Sequence, residues 1–330
     1  MRQRTWSLRT VAAYAPLAVL VTTAVAAWTV FLRGRGLSSV YAWGSLAFPI
    51  PLLAFLVVAG TIIARIVTRK KARGPDQRLG RRVRLAATVA AGAFCLWPAL
   101  WNVNLAVIRF PFALDDTHPT VTARLPTNAT MRVIWGGDQL AQNHHAPTPD
   151  QRWAYDLVVE PALVRSERLE DYGCFGVPVV APVSGVVRIA HDGEPDRAVT
   201  PGRHEANYTA PLGNHVAIAL DGGGAYMLVA HLKQGSVVVQ EGEHVSEGTP
   251  IGACGNSGNT SEPHVHIHAQ RQDPLGRPLN FSEGLPLFFH HHDGAAMPTG
   301  GVAIVDGKRS ATGAIVRHVG PGGQARHPAR

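Results

Sequence analysis

The stretch Pro263-His264-Val265-His266-Ile267-His268 places an imidazole at every second position, directly after a loop rich in Gly, Asn and Ser. Alternate side chains of an extended strand lie on one face, so His264, His266 and His268 would point the same way. Neutral imidazole is a common zinc ligand, and two imidazoles from one strand would supply half of a metal site. The alternative is a solvated, histidine-rich strand edge in a chain with 16 histidines. The stretch alone leaves both interpretations open.

A second group of potential ligands lies upstream of this strand. His144 and His145 stand on a Pro-rich loop, and Asp156 follows two aromatic residues within a strand-like run. A carboxylate at such a position needs a partner, and it is either a buried structural group or a metal ligand. Zinc hydrolases commonly hold the metal with three protein ligands and leave a fourth position for water. One imidazole from the strand, one from the loop and Asp156 would form such a set.

A third feature is an isolated imidazole at the end of an apolar run. His231 closes the segment Ala225–Leu232, so its side chain is expected to face a polar site or to cap the strand. An imidazole beside a metal-activated water can accept its proton or stabilise a developing oxyanion.

The region from about residue 130 to 280 predicts an all-β domain, because short runs of Val, Ile and aromatic residues are separated by Gly, Pro, Asn and Asp. The predicted strands are Met131–Trp135, Trp153–Val159, Val177–Val180, Gly185–Ala190, His215–Leu220, Ala225–Leu232 and His264–Ala269. Short strands with frequent turns favour a sandwich or a partly open barrel. Further on, Val302–Val305 and Ala314–Val316 are predicted to pair as a terminal hairpin, and Gly320–Arg330 to be disordered.

The first third of the chain is far more apolar than the rest. Val11–Leu32, Tyr41–Ala64 and Leu85–Ile108 are uncharged or nearly so and reach the roughly 20 residues that a helix needs to cross a bilayer. Pro49 and Pro51 are expected to kink the second stretch. A cleavable signal peptide is an alternative for the first stretch, but its apolar part is long and two further spans follow. The sequence therefore predicts a three-span α-helical membrane anchor.

Basic residues in the chain, which has a net charge of +8, are concentrated between the second and third apolar stretches. They are Arg65, Arg69, Lys70, Lys71, Arg73, Arg78, Arg81, Arg82 and Arg84. Such a run could bind nucleic acid, but its position between apolar stretches favours a cytoplasmic membrane loop at 65–84 and no nucleic-acid partner. Positive charges on the cytoplasmic side then place everything after about residue 110 outside the cell (plasma or inner) membrane. Cys174 and Cys254 lie in this exported part, where a disulfide between them would persist, although the sequence does not show that they meet.

Four motifs occur in one order: Gln151-Arg152-Trp153-Ala154-Tyr155-Asp156, Gly213-Asn214-His215-Val216, the strand ending in His231-Leu232, and Gly255-Asn256-Ser257-Gly258-Asn259-Thr260 followed by Pro263-His264-Val265-His266. Over about residues 130 to 285 the chain thereby resembles the lysostaphin-type (LytM-type) zinc endopeptidases. The resemblance implies an antiparallel β fold, a Zn²⁺ cofactor and cleavage of peptide bonds in peptidoglycan cross-links or stems.

The resemblance also implies a role for individual residues. It makes Asp156 and His266 zinc ligands, His231 and His264 the catalytic imidazoles, and Asn214 a residue that positions the substrate.

The first His ligand departs from the common pattern of this family. Many relatives carry it four residues before the Asp, where this chain has Arg152. We expect His145 in that role, with His144 as the second choice, because some relatives place the ligand on the preceding loop. His268 also departs from the pattern and is predicted to hydrogen-bond a ligand from behind. The triplet His290-His291-His292 fits a solvated loop better than another metal site.

Together these features predict a membrane-anchored zinc metallo-endopeptidase that hydrolyses peptidoglycan peptides through a zinc-bound water. The predicted parts are an anchor at 1–110, a juxtamembrane stalk at 111–130, the antiparallel β peptidase domain at 131–290 and a tail at 291–330. Two alternatives remain at this point: a non-catalytic module that binds the wall or activates an amidase, and a zinc peptidase that acts on an exported protein.

Overall fold

The computed structural model describes residues 18, 20–22, 24–26, 28–29, 36–67, 75–102, 112–200 and 206–320. The chain divides into two compact units, Met1–Pro111 and Phe112–Arg330. Each unit is described by itself.

Three helices make up the well-described part of the first unit: α1 (Gly36–Leu46), α2 (Pro49–Val67) and α3 (Pro75–Asn102). Ala47 and Phe48 form a turn between α1 and α2, directly before Pro49. Proline lacks a backbone donor and disfavours helical conformation in the residue before it, which explains the interruption at the predicted kink.

One segment of the first unit, Gly36–Ile63, is long and apolar enough to cross a bilayer by length and composition. The three-span prediction is therefore supported for one span among the described residues. The apolar part of α3 that can be described, Leu85–Leu96, is shorter than a span requires, and its preceding turns carry the arginines of the basic run. Val11–Leu32 lies largely outside the described residues.

The predicted basic loop at 65–84 is also different in the structure. Arg65 belongs to α2, and Arg78–Arg84 belong to α3, which begins at Pro75. Pro fits the first helical position because its missing N–H has no helical partner there. Residues 68–74 lie outside the described part of the chain.

The described part of the second unit contains fifteen strands. They are β1 (Val121–Ala123), β2 (Met131–Trp135), β3 (Tyr155–Val158), β4 (Pro178–Val180), β5 (Gly185–His191), β6 (Asn214–Leu220), β7 (Tyr226–Leu232), β8 (His244–Val245), β9 (Pro250–Ala253), β10 (Val265–Gln270), β11 (Gly284–Leu285), β12 (Leu287–Phe289), β13 (Val302–Val305), β14 (Lys308–Ala311) and β15 (Ile315–Val316).

Nine of these strands form one sheet in the order β15-β2-β3-β10-β7-β6-β5-β8, with β11 paired to β10. Every pair in this sheet is antiparallel, as is the separate pair β4–β9, while β1 and β12 run parallel. The prediction of an antiparallel all-β domain is confirmed.

The alternation of β10 separates the core of the domain from its functional face. Val265, Ile267 and Ala269 belong to the main hydrophobic cluster, together with residues of β1, β4, β9 and β12. His266 and His268 therefore point to the opposite face of the sheet, where they are also buried. This second face is covered by loops, and the candidate site lies there.

The segments predicted as stalk and tail contribute strands to this unit. In the predicted stalk, β1 pairs with β12, and Phe112 and Leu125 are buried, because these apolar side chains extend the core. In the predicted tail, β15 joins the main sheet beside β2.

The predicted terminal hairpin has a different partner. β13 pairs with β14 across Asp306-Gly307, whose φ angles are 49° and 74°, and not with β15. An Asp-Gly pair between two short strands is a signature of a two-residue hairpin turn with both central residues at positive φ. The predicted disordered segment lies outside the described residues beyond Gly320. Cys174 and Cys254 form a disulfide, with their Cα atoms 5.8 Å apart.

Candidate metal centre

Asp156 and His266 form the centre of the site as a cross-strand pair. They are directly opposite in the register of β3 and β10, and both side chains lie on the face away from the core. His266 Nδ1 is 2.9 Å from Asp156 Oδ1. Since strand register fixes this pair, the position of both groups follows from the sheet itself.

The predicted loop histidines reach the same carboxylate from outside the sheet. His145 Nε2 is 3.0 Å from Asp156 Oδ2, and His144 Nε2 is 3.9 Å from the same oxygen. The His145 side chain is 12% exposed, whereas that of His144 is 51% exposed. His145 Nε2 is buried and faces this carboxylate oxygen. A buried nitrogen of this kind is suited to metal coordination.

A buried amide holds the loop in this position. Asn143 is fully buried, and its Nδ2 donates to the carbonyl oxygens of Gly137 and Ala154 at 2.9 and 3.2 Å. Its Oδ1 accepts a hydrogen bond from the backbone N–H of His145 at 3.0 Å. The loop conformation that presents His145 is thus tied directly to the start of β3.

Arg152, which stands where many relatives would have a His ligand, anchors the same loop. Its Nη2 lies 2.7 Å from Asp138 Oδ1, and its Nη1 donates to the Asp138 carbonyl at 2.8 Å. Trp153 Nε1 donates to the same Asp138 oxygen at 2.9 Å. This role was not predicted from the sequence. The one indication was that Arg152 occupies the position where the family resemblance predicts a His ligand.

A β-bulge directs His231 into the site. Between β6 and β7, Asn214 pairs with Leu232 and Val216 pairs with Val229, so two residues of β7 oppose one residue of β6. His231 is one of these two and adopts a left-handed conformation with φ 60°. Strict alternation would place its side chain on the core face with Val229. The bulge instead sets its ring 4.8 Å from that of His264 and 5.7 Å from that of His266, measured between centroids.

Backbone carbonyls fix the tautomers of His231 and His264. His231 Nδ1 is 2.8 Å from the Ser257 carbonyl oxygen, and His264 Nδ1 is 2.7 Å from the Glu262 carbonyl oxygen. Because a carbonyl can only accept, each Nδ1 carries the hydrogen and each neutral ring has its lone pair on Nε2. His264 Nε2 lies 3.6 Å from Asp156 Oδ1, so this nitrogen faces the candidate metal site.

Burial and neighbouring groups shift the pKa values of Asp156, His231 and His266. Burial lowers the pKa of His266, and burial together with the charges of His264 and His266 holds the pKa of His231 well below its usual value. Burial alone would raise the pKa of Asp156, but the charges of His145 and His264 and hydrogen bonds from His145 and His266 hold it well below its usual range. These directions favour an ionised carboxylate and neutral His231 and His266, which is what a divalent cation requires of its ligands.

A chain of hydrogen bonds supports His266 from behind, and it includes His268. His266 Nε2 and His268 Nδ1 are 2.9 Å apart, and His268 Nε2 is 3.4 Å from Gln270 Oε1. Gln270 Nε2 then donates to the Gln272 carbonyl at 2.7 Å. This arrangement fits the predicted supporting role of His268 and keeps Nδ1 of His266 directed toward Asp156.

Asn214, in contrast, is not placed to contact a substrate. It is fully buried, and its Nδ2 donates to the carbonyl oxygens of Glu194 and Leu232 while its Oδ1 accepts from the Glu194 N–H. Its polar groups are occupied, so the predicted substrate-positioning role is not supported. Asn214 instead fixes the bulge that carries His231.

A cleft of about 670 Å³ opens beside the Asp156 cluster. Its wall contains Trp135, Tyr208 and Arg309 and five imidazoles, those of His144, His145, His231, His264 and His266. Space for an extended ligand thus adjoins the candidate metal ligands.

The arrangement is a compact His/Asp site of the kind that holds zinc in peptidases. His144, His145 and Asp156 each offer a ligand atom within 4.8 Å of the others, and His266 Nδ1 adds a further nitrogen beside the carboxylate. Two imidazoles and one carboxylate with a fourth position open match a catalytic zinc site.

Comparison with known proteins identifies the family. Residues 170–280 match the model of Peptidase family M23, which confirms the lysostaphin-type resemblance. The predicted cofactor, Zn²⁺, is the metal of this family. No curated protein matches the chain.

Several solved structures also match the chain, each at low sequence identity. The catalytic domain of the prophage-encoded M23 protein EnpA from Enterococcus faecalis is 18% identical, with 40% of this chain and 73% of that one covered and a TM-score of 0.27. Lysostaphin from Staphylococcus simulans is 18% identical, with 48% of this chain and 47% of that one covered and a TM-score of 0.29. A zinc-containing peptidase from Vibrio cholerae is 17% identical, with 50% of this chain and 41% of that one covered and a TM-score of 0.29. The chain spans less than half of the last two structures, and we draw nothing further from these superpositions.

The family match covers only part of the site. His231, His264 and His266 lie within residues 170–280, whereas His145 and Asp156 lie upstream of the match. The geometry described above supplies the missing part, because β3 lies beside β10 in the sheet.

Proposed function

We propose that this chain is a membrane-anchored zinc metallo-endopeptidase that hydrolyses peptide bonds of peptidoglycan. His145, Asp156 and His266 would hold the zinc, and His231 and His264 would be the catalytic imidazoles. One observation carries the proposal: the buried Nε2 of His145 and the Nδ1 of His266 meet the two oxygens of Asp156, with two further imidazoles facing them in an open cleft.

Zinc, when bound, lowers the pKa of a coordinated water and polarises a carbonyl group. The protein contributes the remaining chemistry through groups whose orientation is fixed in advance. His231 and His264 each present an Nε2 toward the cleft, since their Nδ1 hydrogens are held by the carbonyls of Ser257 and Glu262. Either nitrogen can accept a proton from a water and, once protonated, can donate a hydrogen bond to a developing oxyanion.

The anchor and the location belong to the same proposal. The apolar segment Gly36–Ile63 supports insertion into a bilayer, and we propose that further spans flank it, with the second unit on the extracytoplasmic side. A peptidase on that side would meet the wall peptides directly. The cationic Arg309 in the cleft suits substrates that carry carboxylates, as wall peptides do.

The test uses the full chain in detergent micelles, incubated with purified peptidoglycan with and without a zinc chelator. Mass spectrometry of the soluble products identifies any bond that is cut. We expect chelator-sensitive release of peptides from the wall. The variant His266→Ala should lose the zinc ion of this site together with cleavage, while His231→Ala should keep that ion and lose cleavage.

A matched control is His244→Ala, because His244 is an exposed imidazole on β8 that pairs with Asp221. It should retain full activity. Cleavage by His266→Ala would refute the assigned ligands. A zinc-loaded chain that leaves the wall intact but cuts an exported protein would identify the other substrate class. A chain without zinc or cleavage would instead be a binding or activating module.

A further inference from the structure

A second cluster of metal-ligating side chains lies at the end of β12, outside the site described above. Glu247, His290 and His291 each offer a ligand atom within 4.8 Å of the other two. Glu247 lies in the turn between β8 and β9, and the two histidines directly follow β12. This cluster shares no residue with the Asp156 cluster.

The distances in this cluster match those of the first one. His290 Nε2 is 3.0 Å from Glu247 Oε2, the same separation as between His145 Nε2 and Asp156 Oδ2. Two ligands of one tetrahedral zinc ion, each about 2.0 to 2.2 Å from the metal, lie roughly 3.3 Å apart. The Glu247–His290 pair therefore needs only a small movement to share a metal ion.

An unusual backbone conformation brings the two adjacent histidines together. In an extended chain, His290 and His291 would point to opposite sides. His291 adopts φ 52°, a left-handed conformation that costs free energy in a residue other than glycine. As a result the two rings lie on the same side, with their centroids 4.2 Å apart. The hydrogen bond from the Val319 N–H to the His291 carbonyl at 2.8 Å stabilises this conformation.

His318 lies beside the triplet on the C-terminal segment, where its backbone forms an antiparallel bridge with that of His292. Its Nδ1 is buried and has no hydrogen-bond partner. Burial lowers the pKa of this imidazole. Arg124 also faces this group, but its Nε donates to the Leu125 carbonyl and its Nη2 to Asn128 Oδ1.

The third histidine of the triplet is different. His292 is fully buried, and the backbone N–H of Gly294 donates to its Nδ1 at 3.1 Å. Its backbone forms an antiparallel bridge with that of His318, which places the C-terminal segment next to β12. His292 therefore fixes the backbone on which the other three imidazoles are arranged.

We propose that Glu247, His290 and His291 form a second site for a late first-row divalent metal ion such as Zn²⁺. Two imidazoles and one carboxylate would supply three of the four ligands of a tetrahedral ion. The ion would join the β8–β9 turn to the end of β12. The assignment does not depend on the proposed peptidase activity.

The test counts metal ions in the purified full chain after chelator treatment, reloading with ZnCl₂ and desalting. Inductively coupled plasma mass spectrometry should give two zinc ions per chain. His266→Ala should retain one, and Glu247→Gln combined with His291→Ala should also retain one. Combining all three substitutions should leave none, while the control His244→Ala should keep two.

A second measurement guards against misfolded variants. In the His266→Ala chain, which keeps only the second site, ZnCl₂ should raise the unfolding temperature by several degrees, because a ligand that binds the folded state stabilises it. The isosteric Glu247→Gln substitution should abolish this shift without changing the metal-free unfolding temperature. One zinc per wild-type chain that is lost in His266→Ala, or a shift that survives Glu247→Gln, would overturn the proposal.

Discussion

The ion pair between Arg152 and Asp138 gives the sharpest single prediction about the candidate metal centre. The Arg152 side chain is only 4% exposed, so Asp138→Asn would leave a buried guanidinium without its carboxylate. Removing one partner of a buried pair typically costs about 3 to 5 kcal/mol. Asp138 is 28% exposed, which favours the lower value of about 3 kcal/mol. In domains of this size that corresponds to a fall in unfolding temperature of roughly 6 to 12 °C.

The assay is thermal unfolding of the full chain followed by near-ultraviolet circular dichroism, together with a zinc-binding titration. The matched control is Asp273→Asn, which breaks a pair of similar length: Arg188 Nε lies 2.8 Å from Asp273 Oδ2, but the Arg188 side chain is 46% exposed. This control should cost less than about 1 kcal/mol. Because the Asp138 pair holds the loop that carries His145, zinc affinity should also fall about 10-fold or more in Asp138→Asn. Equal effects of the two substitutions on unfolding and on zinc affinity would refute the reasoning.

Three further predictions concern the β domain. In denaturant unfolding, Gly213→Ala should destabilise this domain by at least about 1 kcal/mol more than Gly223→Ala. Both glycines have positive φ, but only at Gly213 would an added Cβ meet a backbone carbonyl group, at 2.4 Å. Equal losses of stability would contradict this close contact. Replacing Cys174 and Cys254 by Ala should lower the free energy of unfolding by about 4.5 kcal/mol, because the disulfide closes a loop of 80 residues. An unchanged free energy would contradict the presence of this disulfide. Burial raises the pKa of Asp150 to about 6, so the folded state retains a proton that the unfolded chain has lost, and its stability falls as the pH rises from about 4 to 6. Asp150→Asn should therefore raise the free energy of unfolding by up to about 3 kcal/mol at pH 7.5 but hardly at pH 4. An equal effect at both pH values would show that the raised pKa of Asp150 is not the cause.

Alternation and composition were sufficient to predict the longer strands of the main sheet and the direction of the histidines on β10, but not the short strands β1, β8, β11 and β12. The prediction that His264 and His266 share a face depends only on the two-residue period of a strand, and the structure has this arrangement. His231 could not be placed in the same way, because its direction depends on a bulge and not on alternation. The role of Arg152 could not be predicted either, because its partner Asp138 lies in a loop whose conformation a single sequence does not reveal.

The remaining differences arise from long-range pairing. The Asp306-Gly307 turn was visible as a local signal, yet the partner chosen for β13 was wrong because β15 is held by β2, which lies far away in sequence. The adjacent His290 and His291 were interpreted as a solvated loop. Their approach to Glu247 depends on how β12 ends against the β8–β9 turn, which no local pattern describes.

The pairing of β3 with β10 also sets an order of events during synthesis. Asp156 and His266 are 110 residues apart in the chain, yet they face each other in the sheet. A nascent chain that stops before β10 has His145, Asp156 and His231 but lacks His266. Its central strands would also expose an open edge at β3 and another at β7 until β10 is inserted between them. The arrival of one late strand thus closes the sheet and assembles the metal centre in the same step, so a truncated chain has neither.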